Sequence, residues 1–214
     1  ILQKAMREIK SPRKLLDALG KAAGEGRISV WSASPAEQQL LEQTSLAHII
    51  PNDAAPYLQL VINNLAGNKM DYYLKREIEY AADGCKGDRR NSTVTVRLTN
   101  TATNGQLPDY HADFKGLDPG VEVKAPIGSM LSSVRIITTK GSKLLSVTSN
   151  GKRTPAIHRV ENGHPSFEVQ VVIPPGQSGE LTFRLNEPTS PGEPVVPIQP
   201  LIDNPVPEVD VPTC

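Results

Sequence analysis

The strongest constraint on the fold is a long region in which apolar and polar residues alternate. Its clearest part is residues 93–99, where Val94, Val96 and Leu98 alternate with hydroxyl and charged residues. Successive side chains of a strand point to opposite faces of a sheet, so the pattern predicts a strand with one buried face and one solvated face. A helix would not bury this set, because its apolar positions recur every three to four residues.

The same period of two recurs between residues 57 and 187 and predicts about seven strands. The further apolar positions are Tyr57–Ile62, Tyr72, Leu74, Ile78, Tyr80, Val134, Ile136, Leu145, Val147, Phe167, Val169, Val171, Ile173, Leu181, Phe183 and Leu185. Turn sequences separate them: Asn104-Gly105, Asn150-Gly151, Asn162-Gly163 and Pro174-Pro175-Gly176. This pattern favours an antiparallel β-sandwich of immunoglobulin-like type, without the Cys…Trp…Cys spacing of antibody domains.

Residues 1–56 have a helical period, so the whole chain is predicted to belong to the α+β class. Ser11-Pro12 is a start signal for a first helix, since proline is favoured in the first helical turn. Ser34 and Glu37 have the spacing of a capping box and predict a second helix. Between the two helices, Arg27–Ser32 (RISVWS) is predicted to be a short strand.

Residues 188–214 are predicted to be an extended, proline-rich tail packed on the sandwich. Its prolines recur at every third position: Pro188, Pro191, Pro194, Pro197 and Pro200. Three residues per turn is the period of polyproline II, so these rings fall in one row. The intervening Val195, Val196 and Ile198 are too apolar for a freely solvated linker. The alternative is a proline-rich peptide offered to a partner domain.

Cys85 and Cys214 are the two cysteines of the chain. A disulfide between them would close a long loop and, in the chain-entropy model, stabilise the fold by about 4–5 kcal/mol. Disulfides persist in oxidising compartments, so the pairing predicts an extracytoplasmic protein. The alternative is two unrelated thiols. A metal site at this pair is not expected, because no further ligands stand at suitable spacing.

The composition excludes some classes of partner. Lys and Arg together number 23, as do Asp and Glu, so no net charge attracts the chain to nucleic acid. No stretch approaches the ~20 apolar residues of a membrane span. The chain begins without Met or a signal segment, so we expect a fragment of a longer precursor. Membrane contact is expected only through an N-terminal anchor that this chain does not contain.

Asp109, His111 and Asp113 form the most site-like cluster in the sequence. In a strand they would share one face, with about 6.6 Å between neighbours. A histidine between carboxylates could bind a divalent metal or act as an acid–base pair. The flanking Leu107-Pro108 and Gly116 favour a solvated loop instead.

Asn63, Asn64, Asn68 and Asp71 surround Gly67 and offer oxygen ligands for a hard cation such as calcium. We favour the alternative, a turn in which the Asn side chains bond to the local backbone and glycine takes a positive φ. The reason is that the loop has too few carboxylates for a calcium site.

Other signals of chemistry are weak. His158 and His164 flank the Asn162-Gly163 turn and are predicted to be exposed. The sequence has no Gly-x-Ser-x-Gly elbow, no phosphate loop between a strand and a helix, and no HExxH motif. Aromatic residues make up 4% of the chain, too few for a sugar-stacking platform. We therefore predict no catalytic residues, no metal and no cofactor.

Several segments resemble a known family. LLDALGKAAGEGRISVWSASPAEQQLLEQTSL and NNLAGNKMDYYLKREIEYAADGC resemble the C-terminal portion of the domain of unknown function 4012 family, which is common in actinobacteria. STVTVRLTNTA, IPPGQSGELTFRLNEP and PVVPIQPLI resemble its later strands. The most specific part is Gly67-Asn68-Lys69 with Asp71-Tyr72-Tyr73-Leu74. The resemblance implies an N-terminal membrane anchor, an extracytoplasmic body and a gene near those for surface polysaccharides, but no catalytic residues.

These observations lead to two hypotheses about function. The first is a non-catalytic extracytoplasmic module of a cell-envelope protein, which scaffolds or binds cell-wall polysaccharide or an envelope protein partner. The second is a glycan-processing or metal-dependent enzyme of the envelope that uses Asp109, His111 and Asp113.

Overall fold

A computed structural model describes residues 11–52, 55–103, 107, 112–114, 117 and 124–214. The chain divides into two compact units, residues 1–51 and 52–214. Within the described residues the first unit contains two α-helices and the second contains ten strands. The chain therefore belongs to the α+β class, as the sequence predicts. The sequence placed the boundary a few residues later, at residue 56.

The described part of the first unit, residues 11–51, consists of short helices joined by irregular chain. Helix α1 is Pro12–Gly24, helix α2 is Pro35–Leu41, and a 3₁₀ helix covers Ser45–Ala47. Both α-helices begin with proline, whose missing N–H costs nothing in the first turn. None of residues 11–51 is buried, and Leu16 and Trp31 are among its exposed apolar side chains. The unit therefore has no core within this range.

The predicted strand Arg27–Ser32 is wrong, because this segment is irregular. The Arg27 N–H donates to the Ala22 carbonyl at the end of α1, at 2.8 Å, and the Val30 N–H donates to the Leu46 carbonyl, at 2.9 Å. A strand needs a ladder of such bonds. Trp31, which the prediction took as a strand residue, is 76% exposed.

The predicted capping box is also wrong, although α2 begins where the sequence placed it. The Ser34 side chain makes no capping bond. Glu37 instead accepts a hydrogen bond of 2.6 Å from the Ser32 hydroxyl, which in turn accepts one of 3.1 Å from the Ser34 N–H. Ser32, two residues further from the helix, thus satisfies the polar groups at this end.

The strands of the described part of the second unit form two β-sheets. Its strands are β1 (Leu58–Asn64), β2 (Leu74–Ala82), β3 (Arg89–Asn100), β4 (Met130–Thr138), β5 (Lys143–Ser149), β6 (Lys152–Arg153), β7 (Ile157–Glu161), β8 (His164–Ile173), β9 (Ser178–Pro188) and β10 (Glu208–Asp210). One sheet has four strands in the order β1-β4-β8-β7, all antiparallel. The other has six in the order β10-β2-β3-β9-β5-β6, antiparallel except that β10 runs parallel to β2.

The two sheets bury a common core. The alternation predicted for β3 is confirmed, since Val94, Val96 and Leu98 are at most 2% exposed. Val94 lies opposite Phe183 of β9. The same apolar cluster includes residues of the four-stranded sheet: Leu58, Leu60, Ile62, Met130, Val134, Ile136, Phe167, Val169 and Ile173.

Two predicted hairpin turns have the expected backbone. Asn150-Gly151 has φ angles of 49° and 75°, and Asn162-Gly163 has 47° and 80°. Two successive positive φ angles define a type I′ turn, which matches the twist of the strands it joins. The predicted turn at Asn104-Gly105 lies outside the described residues.

Two residues assigned to buried strand positions are exposed. Tyr72 lies in a 3₁₀ helix, Met70–Tyr73, and is 67% exposed. Strand β2 therefore begins at Leu74. A β-bulge between Leu144 and Ser146 shifts the register of β5 against β9, and Leu145 is exposed there. A bulge adds one residue to one strand, so simple alternation cannot locate it.

The C-terminal segment, residues 189–214, lies along the edges of both sheets. Val195 bridges Tyr57, and Ile198 bridges Leu60 beside β1. The Leu58 N–H donates to the Val195 carbonyl at 3.1 Å. Further on, β10 pairs with β2. The segment thus covers one edge of each sheet.

We predict that Phe183→Ala destabilises the second unit by about 3–5 kcal/mol, because it leaves a cavity in a fully buried site. The measurement is urea unfolding followed by circular dichroism. Thr182→Ala, at the next position of β9 on the solvated side, is the control and should cost less than about 1 kcal/mol. Equal losses for the two variants would contradict the described core.

Candidate functional site

The cluster predicted from sequence is only partly described. Asp109 and His111 lie outside the described residues. Asp113 is half-buried, and its Oδ1 accepts a 2.7 Å hydrogen bond from the Phe114 N–H. This local bond is typical of an aspartate in a turn.

The asparagine cluster after β1 forms a turn. Asn64 Nδ2 donates to the Asn68 carbonyl at 3.0 Å and to Asn68 Oδ1 at 2.9 Å. Asn68 Oδ1 also accepts the Met70 N–H at 3.2 Å. Gly67 has a φ of 64°, a conformation that favours glycine. The structure thus has the local bonds of the turn alternative.

The remaining two members of that cluster stand apart from its centre. Asn63 is exposed on β1, opposite Ser133 of β4. Asp71 is half-buried, and burial raises the pKa of its carboxyl while a hydrogen bond with Asn64 opposes the rise.

The two histidines beside the Asn162-Gly163 turn differ from each other. His158 is exposed, as predicted, and its ring packs edge-on against Phe167 with 5.0 Å between centroids. His164 was predicted to be exposed, and this is wrong, because it is 1% exposed. Its Nδ1 lies 2.8 Å from the Thr138 carbonyl, and its ring packs on Tyr57. His164 is therefore a core residue at the start of β8.

The structure pairs Cys85 with Cys214, with 2.06 Å between the two sulfur atoms. This is the pairing that the sequence predicts. Cys85 belongs to the connection between β2 and β3, and both cysteines are exposed. The disulfide therefore fastens the C-terminal segment to one end of the six-stranded sheet. A disulfide is characteristic of an oxidising, extracytoplasmic environment.

The C-terminal segment is also held by two polar contacts further upstream. Asp203 accepts hydrogen bonds of 2.8 Å from the backbone N–H and from Nε of Arg76, whose side chain is fully buried. Gln199 bonds to both backbone groups of Ile62, at 2.8 and 3.0 Å. The side chain of Gln199 thus takes the place of a strand residue at the edge of β1.

A buried ion pair lies between the sheets near the disulfide. Arg90 Nε stands 3.1 Å from Glu187 Oε1, and the two side chains are 0% and 1% exposed. Glu187 also accepts hydrogen bonds from the Tyr80 hydroxyl at 2.8 Å and from Thr139 Oγ1 at 3.2 Å. Burial and the charge of Glu187 raise the pKa of Tyr80 far above its usual value, so Tyr80 stays a neutral donor. These four residues are called the buried network.

The buried network connects to the C-terminal segment through Arg90. Its Nη1 donates to the Pro212 carbonyl at 2.7 Å and lies 3.4 Å from Cys214 Sγ. Val211, the preceding residue, joins the apolar core. One guanidinium therefore binds the core carboxylate and the end of the chain at the same time.

Sequence reasoning missed Arg76, Arg90 and Glu187. Their burial could have been predicted from the position of each residue in its strand. Arg76 lies two residues from Leu74 and from Ile78, so it faces the core with them. Arg90 and Glu187 likewise occupy core-facing positions of β3 and β9. A charged residue at a core-facing position predicts a buried pair, because an unpaired buried charge is too costly.

The opposite face of the six-stranded sheet is solvated, and we call it the polar face. It is formed by alternate residues of β2, β3, β9 and β5: Lys75, Glu77, Glu79, Arg89, Asn91, Thr93, Thr95, Arg97, Thr99, Ser178, Glu180, Thr182, Arg184, Asn186, Lys143 and Thr148. This set contains hydroxyls, amides and charges, and no aromatic ring. The same face also includes the apolar residues Ala81, opposite Thr93, and Leu145, at the bulge of β5.

The register aligns side chains of the polar face in rows across the strands. The rows are Thr95–Thr182–Thr148, Glu77–Arg97–Glu180 and Asn91–Asn186–Lys143. In the second row Arg97 lies 2.9 Å from Glu180 and 3.6 Å from Glu77. Neighbouring strands are about 4.8 Å apart, so the face presents hydrogen-bonding groups at a regular spacing.

The described part of the chain has neither a metal-binding cluster nor a membrane-spanning helix. There, no group of three or more His, Cys, Asp or Glu side chains is placed to hold a metal ion. Among the described residues, neither helix is long and apolar enough to cross a bilayer.

Comparison with known proteins gives distant matches. No protein-family model and no curated protein matches the chain. A candidate nutrient-binding protein from Legionella pneumophila is similar in structure, with a TM-score of 0.38 and 7% identity over 65% of this chain and 45% of that chain. A zinc metallopeptidase from Deinococcus radiodurans gives a TM-score of 0.25 and 14% identity over 69% and 23%. The chain thus spans less than half of either protein, and these scores support no argument.

We predict that Glu187→Ala destabilises the second unit by about 3–5 kcal/mol, because it leaves the Arg90 charge buried without its partner. Chemical unfolding of the purified protein measures this. Glu180→Ala removes one carboxylate from an exposed pair and should cost less than about 1 kcal/mol. If the double variant Arg90→Met/Glu187→Leu is as unstable as Glu187→Ala, the loss does not come from the unpaired charge.

We predict that the intact mass of the protein rises by two hydrogens on reduction, because Cys85 and Cys214 form one disulfide. Cys214→Ser should lower the stability by up to about 5 kcal/mol, since the bond closes a loop across 129 residues. Non-reducing size-exclusion chromatography of the same sample excludes a disulfide-linked dimer. A mass unchanged by reduction would contradict the pairing.

Proposed function

We propose that this chain is a non-catalytic, extracytoplasmic module of a cell-envelope protein that binds cell-wall polysaccharide on the polar face. The observation that carries the proposal is the set of aligned hydroxyl and amide side chains on a rigid sheet. Thr and Asn side chains both donate and accept hydrogen bonds, as sugar hydroxyls do. A sheet holds such groups at fixed positions, so little entropy is lost when a ligand binds.

The dimensions of the polar face suit an extended polymer. Strand β3 has 12 residues, which corresponds to about 40 Å at 3.4 Å per residue. Four strands spaced by about 4.8 Å give the face a width of roughly 15 Å. A linear polysaccharide lying along the strands would meet several rows of side chains. Its affinity would come from many weak hydrogen bonds.

The cellular setting is part of the same proposal. The exposed disulfide supports a location outside the cytoplasm, and the resemblance to the domain of unknown function 4012 family supports an envelope protein with an upstream membrane anchor. The two sheets, antiparallel except for β10, and their common core support an immunoglobulin-like sandwich as the finer fold. The C-terminal segment then serves as the extended tail that completes this sandwich. A protein partner of the envelope is the other possible occupant of the polar face.

We predict that the purified chain is retained by cell-wall polysaccharide on a glycan array. Replacing the threonine row by Thr95→Val, Thr182→Val and Thr148→Val together should weaken binding about tenfold or more, because each lost hydrogen bond contributes about 0.5–1.5 kcal/mol. Valine keeps the shape and the strand propensity of threonine.

Thr154→Val, which lies outside the polar face, is the matched control and should bind like the wild type. The proposal fails if no glycan is retained above background, or if the triple variant binds as well as the wild type. A pull-down from envelope extracts that captures a protein, with a blank glycan array, would point to the protein partner instead.

A further inference from the structure

One end of the polar face contains a depression of about 360 Å³. It lies beside the β2–β3 connection that carries Cys85. Lys86 and Arg89 line it, together with the amides Asn91 and Asn186 and the carboxylate Asp83. Arg90 also lines it, but Glu187 already balances the charge of Arg90. The charges left to a ligand are therefore those of Lys86, Arg89 and Asp83.

Arg89 is held in place entirely by neutral acceptors. Its Nε donates to Asn186 Oδ1, and its Nη2 donates to the carbonyls of Asn186 and Gly141, at 2.7 and 3.0 Å. No carboxylate of the described residues pairs with it, and its Nη1 donates to none of them. The guanidinium is thus oriented in advance, with its charge unbalanced and one edge free.

Two more donors of the depression are free. The Lys86 backbone N–H donates to the Gly84 carbonyl at 2.9 Å, but its side-chain ammonium forms no ion pair or hydrogen bond with any described residue. Asn91 accepts a hydrogen bond from Asn186 Nδ2 at 3.2 Å, so its oxygen is occupied while its own Nδ2 is not. The depression therefore offers the Lys86 ammonium, Nη1 of the Arg89 guanidinium and Nδ2 of Asn91, and these three donors have no acceptor in the described part of the chain.

Two further cations lie near the depression and add to its positive charge. Lys143 lies opposite Asn186 in the sheet, and Arg184 lies two residues before Asn186 on the same face. Neither makes an ion pair with a described residue. In contrast, Arg97 of the same face and Arg135 of the other sheet each contact two carboxylates. The polar face is thus self-neutralised around Arg97 and cationic at the end that carries Lys86 and Arg89.

We propose that this end of the polar face is an anion site, which binds a phosphate or carboxylate group of the polysaccharide. The inference rests on the proposed function and adds that the polymer is negatively charged. Phosphate and carboxylate oxygens are acceptors only, and they match three free donors, two of them charged. Asp83, and Asp88 in the same connection, reduce the positive potential without pairing with Lys86 or Arg89.

The test compares polymers that differ in charge. Polygalacturonate carries carboxylates, a glycerol phosphate polymer carries phosphates, and dextran is neutral. By isothermal titration calorimetry at low salt, one or both anionic polymers should bind at least tenfold more tightly than dextran. The preference should shrink as salt screens the charges. The polymer that binds more tightly identifies the natural anion as carboxylate or phosphate.

Variants locate the site. Lys86→Gln should weaken binding of the anionic polymer several-fold, and Lys86→Gln/Arg89→Gln by at least tenfold. Asp83→Asn should strengthen it, because this change removes a repelling charge without adding a contact. Lys152→Gln/Arg153→Gln, on β6, changes the net charge by the same amount as the double variant and should shift affinity less than twofold. Equal effects of the two double variants, or weaker binding by Asp83→Asn, would overturn the inference.

Inorganic phosphate separates this inference from the proposed function. In a nitrogen-15 NMR titration, phosphate should shift the Asn91 side-chain amide and Arg89 Nε signals in the wild type. In Lys86→Gln/Arg89→Gln, which lacks the Arg89 signal, the Asn91 amide should not shift. Phosphate shifts with no polymer binding would leave the anion site standing and refute polysaccharide binding. Equal binding of dextran and the anionic polymers, with no phosphate shift, would refute the anion site alone.

Discussion

The ion pair between Arg90 and Glu187 is the interaction on which the second unit depends. Glu187 belongs to β9 and meets Tyr80 of β2 and Thr139 beyond the end of β4, so one carboxylate contacts both sheets. Arg90 reaches from β3 to the Pro212 carbonyl near the end of the chain. A buried pair contributes little net stability, but separating its partners is costly. The pair therefore disfavours any packing of the sheets that leaves either charge alone.

The C-terminal segment covers the exposed edge strands β1 and β2 of the two sheets. An exposed edge strand offers unpaired backbone groups to other chains and promotes aggregation. Backbone and side-chain bonds from Val195, Ile198 and Gln199 occupy the edge of β1, while β10 occupies the edge of β2. The disulfide and Arg90 then hold the end of the segment. Residues 189–214 are thus an integral part of the second unit.

Regular alternation made most strands predictable, and departures from it explain the errors. The β3 pattern located its buried face, and the Asn-Gly pairs located two hairpins, because each depends on local geometry alone. Polar and apolar residues alternate in Arg27–Ser32 too. A strand also needs a neighbouring strand to pair with, and the local sequence does not reveal whether one is present. His164 follows a turn and still lies in the core because the end of β4 covers it. The polar face required knowledge of the register, since its rows combine residues more than 80 positions apart.

Charged side chains are paired on the buried face of the six-stranded sheet, whereas several on its solvated face are unpaired within the described residues. This contrast bears on function. On the buried face each arginine meets a carboxylate, because an unpaired charge there would be costly. On the solvated face water screens charges, so folding does not require Lys86, Lys143 and Arg184 to have partners. It also does not require them to gather at one end beside a pre-oriented Arg89. This arrangement is the observation on which the proposed anion site rests.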